Sequence, residues 1–303
     1  MSFYCCNSFK YFSISTKTIQ DPQVASKLFQ ALQLFIKFYV SLLLQSKRIM
    51  GYKLKKEHSF SYLDQGEGTP IIILHGLMGG LSNFEGVTDF FSKNGYRVII
   101  PELPIYSLPL LKTTVKNLAF YVSDFIDHME FDQAIVLGNS LGGHIGLLLT
   151  KLFPDKVKGL VITGSSGLYE NSMGESYPKR GNYDYIKEKA ENVFYDPKVA
   201  TKEIVDEVFA SVNDRNKLIR TLAIAKSAIR HNMADDLPKM KTPTCIIWGK
   251  NDTVTPPEVA DEFDKLLPDS TLYWIDKCGH APMMEHPDTF NGHLHHWLNN
   301  RAL

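Results

Sequence analysis

Residues Ala134–Thr150 read AIVLGNSLGGHIGLLLT, and their reading decides the fold. Ala134-Ile135-Val136-Leu137 is a short, β-favouring apolar run of the kind found in fully buried strands. Gly138-Asn139-Ser140-Leu141-Gly142-Gly143 follows, and then an apolar segment with helical character, Ile145-Gly146-Leu147-Leu148-Leu149. Strand, sharp turn and helix form the context that gives Gly-x-Ser-x-Gly its meaning. So tight a turn needs small residues on either side of the serine, which Gly138 and Gly142 supply. The Ser140 hydroxyl is then thrust out at the end of a sheet. The Leu141 amide stands at a helix N-terminus, where the dipole favours a developing negative charge. The motif alone would also suit an ordinary glycine-rich turn. The strand before it and the helix after it make Ser140 the candidate nucleophile.

Outward from this stretch, the segments alternate. His58–Leu63 alternates polar and apolar residues and ends at the turn Asp64-Gln65-Gly66-Glu67-Gly68. Ile71–Leu74 reads as a buried strand leading into His75-Gly76-Leu77-Met78-Gly79-Gly80. Asn83–Asn94 reads as a helix ended by Gly95, Arg97–Ile100 as a strand stopped by Pro101, and Val115–Met129 as a helix. Past Phe153-Pro154 come strands at Val157–Thr163, Thr244–Trp248 and Thr271–Ile275. Helices are expected at Pro257–Leu267 and Thr289–Leu298. Such alternation predicts an α/β fold, a mostly parallel central sheet with helices on both faces. The segment at about 168–236 breaks the rhythm, with helical patterns at Tyr185–Phe194, Pro197–Ser211 and Arg215–His231 and no convincing buried strand. A helical insertion between sheet strands is expected to form a lid over the carboxyl ends of the strands, where ligands bind in open α/β sheets.

A serine hydroxyl is a poor nucleophile until a neighbouring base takes its proton. His280, in Lys277-Cys278-Gly279-His280-Ala281-Pro282, follows the last strand by a few residues and so reaches the edge that carries Ser140. The other histidines fit less well. His58 precedes the sheet, His128 and His231 end helices, and His144 sits on the helix behind the serine. His286 heads into the final helix, and His293, His295 and His296 lie on it, where a solvated or packed face accounts for them better than a metal does. The base needs a carboxylate to hold its tautomer, and Asp252, on the loop leaving the Cys245–Trp248 strand, is placed for this. Asp252 also suits a plain turn; its order, loop position and spacing favour the catalytic reading. Two oxyanion donors are expected, the amides of Leu141 and of Leu77, with His75 bracing the loop. Leu103–Leu111, Met78, Asn139, Tyr106, Met283-Met284 and the aromatics Tyr177, Tyr183, Tyr185, Phe194 and Tyr195 suit an apolar substrate pocket or ordinary core packing.

His75-Gly76 after a strand, Gly138-Asn139-Ser140-Leu141-Gly142-Gly143, Trp248-Gly249-Lys250-Asn251-Asp252 and Gly279-His280-Ala281-Pro282 with Glu285-His286-Pro287 together resemble the α/β-hydrolase superfamily, in its single-domain, lid-bearing branch. The resemblance covers about residues 58–300. It implies a serine-triad hydrolase acting on a small-molecule substrate without metal or organic cofactor, in the order Ser140, Asp252, His280. Gly-Asn-Ser-x-Gly-Gly is similar to hydrolases that cleave C–C bonds in ring-fission products. Those usually carry tryptophan after the catalytic histidine, where this chain has Ala281. The expectation is therefore a carboxylic-ester hydrolase working through an acyl-enzyme. C–C hydrolysis of a vinylogous diketo acid is the alternative, and an acyltransferase or binding member of the fold is a third. The loop Pro101-Glu102-Leu103-Pro104-Ile105-Tyr106 departs from the aspartate and paired glycines common in relatives.

The 303 residues are 44% hydrophobic and hold 33 basic and 33 acidic side chains, so no overall field argues for nucleic acid. Residues 1–57 hold nine basic and two acidic side chains, which marks a separate N-terminal piece. We divide the chain into an extension, 1–49, and a hydrolase domain, 50–303. Leu28–Leu44 has 13 apolar residues in 17, with Gln30, Gln33, Lys37 and Ser41 at spacings that form one narrow polar stripe. Lys37 near its middle argues against a bilayer span. A membrane-surface helix and a dispensable extension before a start at Met50 both fit this pattern. Cys5, Cys6, Cys245 and Cys278 show no metal or disulfide spacing and suit a reducing, cytoplasmic compartment. Cys278 reads as a buried filler. Nothing in the pattern specifies an oligomeric state.

Overall fold

A computed structural model describes residues 48–49, 51–169 and 179–303. The stretch Leu28–Leu44, Cys5, Cys6 and Tyr177 lie outside the described residues. Met50–Leu303 cluster as one compact unit, the chain dividing after Ile49. No helix among the described residues is long and apolar enough to cross a membrane.

Eight strands form the sheet: β1 Lys55–Glu57, β2 Phe60–Gln65, β3 Thr69–Leu74, β4 Tyr96–Pro101, β5 Ala134–Asn139, β6 Val157–Thr163, β7 Thr244–Gly249 and β8 Ser270–Ile275. Their spatial order is β8-β7-β6-β5-β3-β4-β2-β1. β2 runs antiparallel to both β1 and β4, and every other pairing is parallel. The chain moves from β3 to β4 on one side, then returns to place β5 on the other. That reversal lies at β3 and β5, whose carboxyl ends are the place where open α/β sheets bind ligands. Register keeps the ends level: Leu74 pairs with Gly138, Asn139 with Thr163, and Gly249 with Ile275.

Helices α1 Glu85–Phe91, α2 Val115–His128, α3 Leu141–Leu152, α7 Pro257–Leu266 and α8 Pro287–Arg301 flank the sheet. Alternation along β6 shows how they divide between its faces. Leu160 meets Gly146 of α3, whereas a Cβ on Gly159 would meet the Trp297 ring of α8 at 3.1 Å. Ile72, Leu74, Val136, Ile162 and Trp248 accordingly join a core with Val122 of α2, Ile145 of α3 and Phe263 of α7. The central strands β5 and β7 are buried at every position, as both faces of a helix-covered parallel sheet require.

Between β6 and β7 the chain forms α4 Tyr183–Glu191, α5 Lys202–Asn213 and α6 Arg215–Arg230, with no strand among the described residues there. Asn182 caps α4, its side chain accepting from the Tyr185 N–H, and Asp214 caps α6 by accepting from the N–H groups of Asn216 and Lys217.

The elements differ from the sequence expectation in instructive places. The strand expected to stop at Leu63 continues through Gln65, because the Asp64 carboxylate is taken up by Arg97 (2.8 and 2.9 Å) and Lys55 (2.7 Å). His58 adopts φ 53° and so belongs to a turn instead of a strand. Pro101 does not stop β4 but closes it, paired with Tyr62. The helix expected from Asn83 begins at Glu85, after a 3₁₀ turn over Leu81–Phe84. Leu111, read as a candidate pocket residue within Leu103–Leu111, is 95% exposed, while Leu103 and Ile105 are buried in the core.

Candidate active site

Ser140 joins β5 to α3 with φ 56° and ψ −119°, a conformation that non-glycine residues seldom adopt. The surroundings over-determine it. Its N–H donates to the Thr163 carbonyl (3.0 Å), and its own carbonyl accepts from the N–H groups of His144 and Ser166 (3.2 Å each). The two motif glycines answer to close backbone approach. A Cβ on Gly138 would lie 2.3 Å from the Gly142 carbonyl, and one on Gly142 would lie 2.0 Å from the Leu74 carbonyl oxygen. The elbow is thus wedged against the end of β3. Leu141 is the first residue of α3, so its N–H has no acceptor within the helix.

His280 and Asp252 come together from the loops after β8 and β7. His280 Nδ1 lies 2.9 Å from Asp252 Oδ2, and both side chains are almost wholly buried. Asp252 Oδ1 accepts from the N–H groups of Val254 (2.8 Å) and Thr255 (3.0 Å), and Oδ2 also accepts from the Thr255 hydroxyl (2.9 Å). A carboxylate so supplied with donors is held in one orientation. Donation from Nδ1 to this carboxylate makes Nε2 the acceptor nitrogen of the ring. His280 also donates its backbone N–H to Val193 and accepts the Asn139 side-chain amide on its carbonyl (3.1 Å). Gly164 follows the Thr163 that holds the Ser140 amide, and a Cβ on Gly164 would lie 2.8 Å from His280 Nδ1. The serine and histidine loops therefore share a neighbour.

The loop after β3 closes the other side. A Cβ on Gly76 would sit 3.4 Å from Ser140 Cβ, which sets the Gly76–Leu77 segment against the elbow. His75 Nδ1 lies 2.9 Å from the Gly76 carbonyl and Nε2 accepts from the Leu103 N–H at 3.4 Å. That pattern needs a neutral ring, and burial, opposed by the Gly76 contact, does push its pKa down. His75 thus braces the loop after β3 against the loop after β4.

Other candidates fall elsewhere. Asn139 spends its amide on the carbonyls of Thr163 and His280 (3.1 Å each), so it ties loops together and is only 5% exposed. Met283 is buried on the turn Pro282–Glu285, Met78 is half-buried, and the Tyr106 hydroxyl reaches the Leu77 carbonyl at 3.4 Å. Cys278 is buried, and burial above all pushes its thiol up, Glu285 adding to the effect. On α8, His293 stacks on Tyr273 and His295 sits edge-on to Phe90, so the histidines of that helix serve separate contacts. Two supporting residues had no role in the sequence reading, Glu285 being named there only as part of a motif. Thr255 locks Asp252. Glu285 accepts from Gly279 N–H (2.7 Å) with one oxygen and from Tyr195 and Asp196 N–H (2.8 and 3.2 Å) with the other. Thr255 lies three residues beyond the carboxylate, the spacing of a side-chain-capped turn, which was the available signal.

Comparison with known proteins agrees with this architecture. A sequence profile described as alpha/beta hydrolase fold matches residues 69–194 and 183–287. An alpha/beta hydrolase enzyme from the metagenome of sediments of the Mar Chica lagoon, Morocco, is 60% identical. The similarity covers 82% of this chain and 99% of that one, with a TM-score of 0.70. The 2-hydroxy-6-oxo-6-(2'-aminophenyl)hexa-2,4-dienoic acid hydrolase of Metapseudomonas resinovorans is 30% identical over 80% of this chain and 88% of its own length. A serine hydrolase involved in carbazole degradation is 26% identical over 82% of this chain and 99% of its own, with a TM-score of 0.71.

Proposed function

The chain belongs to the alpha/beta hydrolase fold family, and from that premise we propose that it is a serine-triad hydrolase acting on a carbonyl compound of the carboxylic-ester class, with a small to medium apolar acyl group. Ser140 Oγ attacks the carbonyl carbon while His280 Nε2 takes its proton. The amides of Leu77 and Leu141 hold the oxyanion. Collapse expels the leaving alkoxide, protonated by His280, and leaves an ester on Ser140. Water, deprotonated by His280, then releases the carboxylic acid and restores the hydroxyl. Asp252 keeps the imidazole in its Nδ1–H tautomer and stabilises the imidazolium. The helical insertion serves as a lid over this edge.

The observation that carries the reading is the 2.9 Å His280–Asp252 contact, formed by two loops that leave the sheet edge where Ser140 is held at φ 56°. A second reading is favoured by the curated relatives, several of which are named as hydrolases of hexadienoates or nonadienedioates. In that chemistry the same serine would attack a ketone carbonyl, and the leaving group would be carbon, protonated as the C–C bond breaks. Ala281 beside His280, in place of the tryptophan usual there, supports the ester reading.

The full chain and Ser140→Ala should be assayed with p-nitrophenyl esters of graded chain length and with 2-hydroxy-6-oxo-6-phenylhexa-2,4-dienoate, alongside labelling by a fluorophosphonate. Ester turnover and labelling, both lost in Ser140→Ala, are the expected results. Turnover of the dienoate alone selects the second reading. A folded protein that neither labels nor turns over any substrate overturns the enzyme assignment in favour of a binding role.

A further inference from the structure

The loop between β4 and α2 meets the outer face of α6 in a groove of about 660 Å³, lined by Leu110, Leu111 and Lys116 on one side and Ile219, Leu222 and Lys226 on the other. The α6 residues recur at spacings of three and four, so they form one stripe of the helix. The opposite stripe, Thr221, Ile224, Ala225 and Ala228, is buried against the body of the protein. Large apolar side chains are exposed on the groove and on the adjoining end of α6: Leu111 is 95% exposed, Leu110 45% and, next to the lining residue Arg230, Ile229 53%. Exposed apolar side chains beside lysines and arginines suit an amphipathic interface.

Within the two segments the charge is of one sign, with Glu207 of α5 the acidic neighbour that acts on Tyr106. Residues 103–118 and 215–230 hold seven lysines and arginines and no aspartate or glutamate, within a chain that is balanced overall. Asp214, next to the helix, is consumed in capping it. The two segments form one unit: Arg220 donates to the Leu108 carbonyl (3.3 Å), Ser227 Oγ accepts from the Val115 N–H (3.1 Å), and Lys217 lies over the Tyr106 ring. This unit adjoins the candidate site, since Leu103 and Tyr106 touch His75 and Leu77.

We propose that this surface docks the protein on an anionic lipid bilayer. Leu110, Leu111 and Ile229 enter the boundary between headgroups and acyl chains, while the surrounding lysines and arginines keep their charged ends at the lipid phosphates. A bilayer suits the surface better than an acidic protein does. The most exposed side chain is a protruding tip and not the floor of the groove, and a fluid interface accepts a protruding leucine without matching its shape. The docking holds whether or not the serine hydrolase reading does, because it depends on no catalytic residue.

Flotation of the full chain with vesicles of phosphatidylcholine, with and without phosphatidylglycerol, tests the proposal directly. Binding should require the anionic lipid and weaken with salt. Lys112→Ala with Lys226→Ala should lower the partition coefficient by about fivefold for each residue removed, and Leu111→Asp with Ile229→Asp should abolish binding. All four positions are exposed, and unchanged thermal melting of each variant verifies folding. Partition of the variants equal to that of the unaltered chain would locate lipid binding elsewhere and overturn the proposal. So would absence of partition at any phosphatidylglycerol fraction, including the case in which polyglutamate binds instead and points to an acidic protein partner.

Discussion

Replacing His144 by glutamine should flatten the acid limb of the stability curve. The imidazole is fully buried on α3, one turn beyond Ser140, with Nδ1 3.4 Å from the Ser166 hydroxyl and Nε2 3.3 Å from His231 Nδ1. Burial, helped by the neighbouring His231, pushes its pKa down to about 3. In the unfolded chain the same group titrates near pH ~6.5. Between those values the unfolded chain binds a proton that the native state refuses, so stability falls as pH falls. The penalty is absent above the unfolded pKa and grows by about 1.4 kcal/mol for each pH unit below it. Between pH 6.5 and pH 5 it amounts to about 2 kcal/mol. Urea denaturation near pH 7.5 and near pH 5 measures it. His144→Gln loses contacts at both pH values, so the readout is the difference between them, not the absolute stability. The unaltered protein should lose about 2 kcal/mol more on acidification than the variant. His75, also held down by burial, leaves the variant a residual dependence. Equal losses in the two proteins would refute the reasoning.

Asp252→Asn should leave the fold intact and lower kcat about 10⁴-fold, because an amide at that position favours the wrong histidine tautomer; steady-state kinetics and a melting curve separate the two effects. Thr255→Val removes a buried hydroxyl that donates to the Asp252 carboxylate and should cost about 2 kcal/mol in chemical denaturation, with Thr255→Ser recovering most of it. In the native protein Cys245 and Cys278 should resist iodoacetamide at neutral pH, since burial raises both thiols. Mass mapping should find both labelled only after denaturation.

The buried strands could be read from the chain because Ile71–Leu74, Ala134–Leu137 and Val157–Thr163 are apolar runs that suit few other environments. Their spatial order could not, since pairing is non-local. β1 went unseen for a different reason. Lys55-Lys56-Glu57 is a wholly exposed edge strand, and charged edge strands carry no hydrophobic signal. Asp64 looked like the start of a turn because a carboxylate in a strand is costly unless partnered, and the partner, Arg97, comes from another strand. The same distinction governs the site. Ser140, Asp252 and His280 stood out because their chemistry demands particular residue types at strand ends. Thr255 and Glu285 are ordinary polar residues whose importance arises only when separate loops meet, and Asn139, legible as part of a motif, proved to be a tie between β5, β6 and the histidine loop.

Glu285 has a mechanical consequence. One oxygen grips the backbone beside His280 and the other grips the chain just past α4. The α4 end of the insertion cannot swing away without tugging the imidazole out of alignment. The histidine loop and that end of the insertion are thereby riveted together through a single side chain.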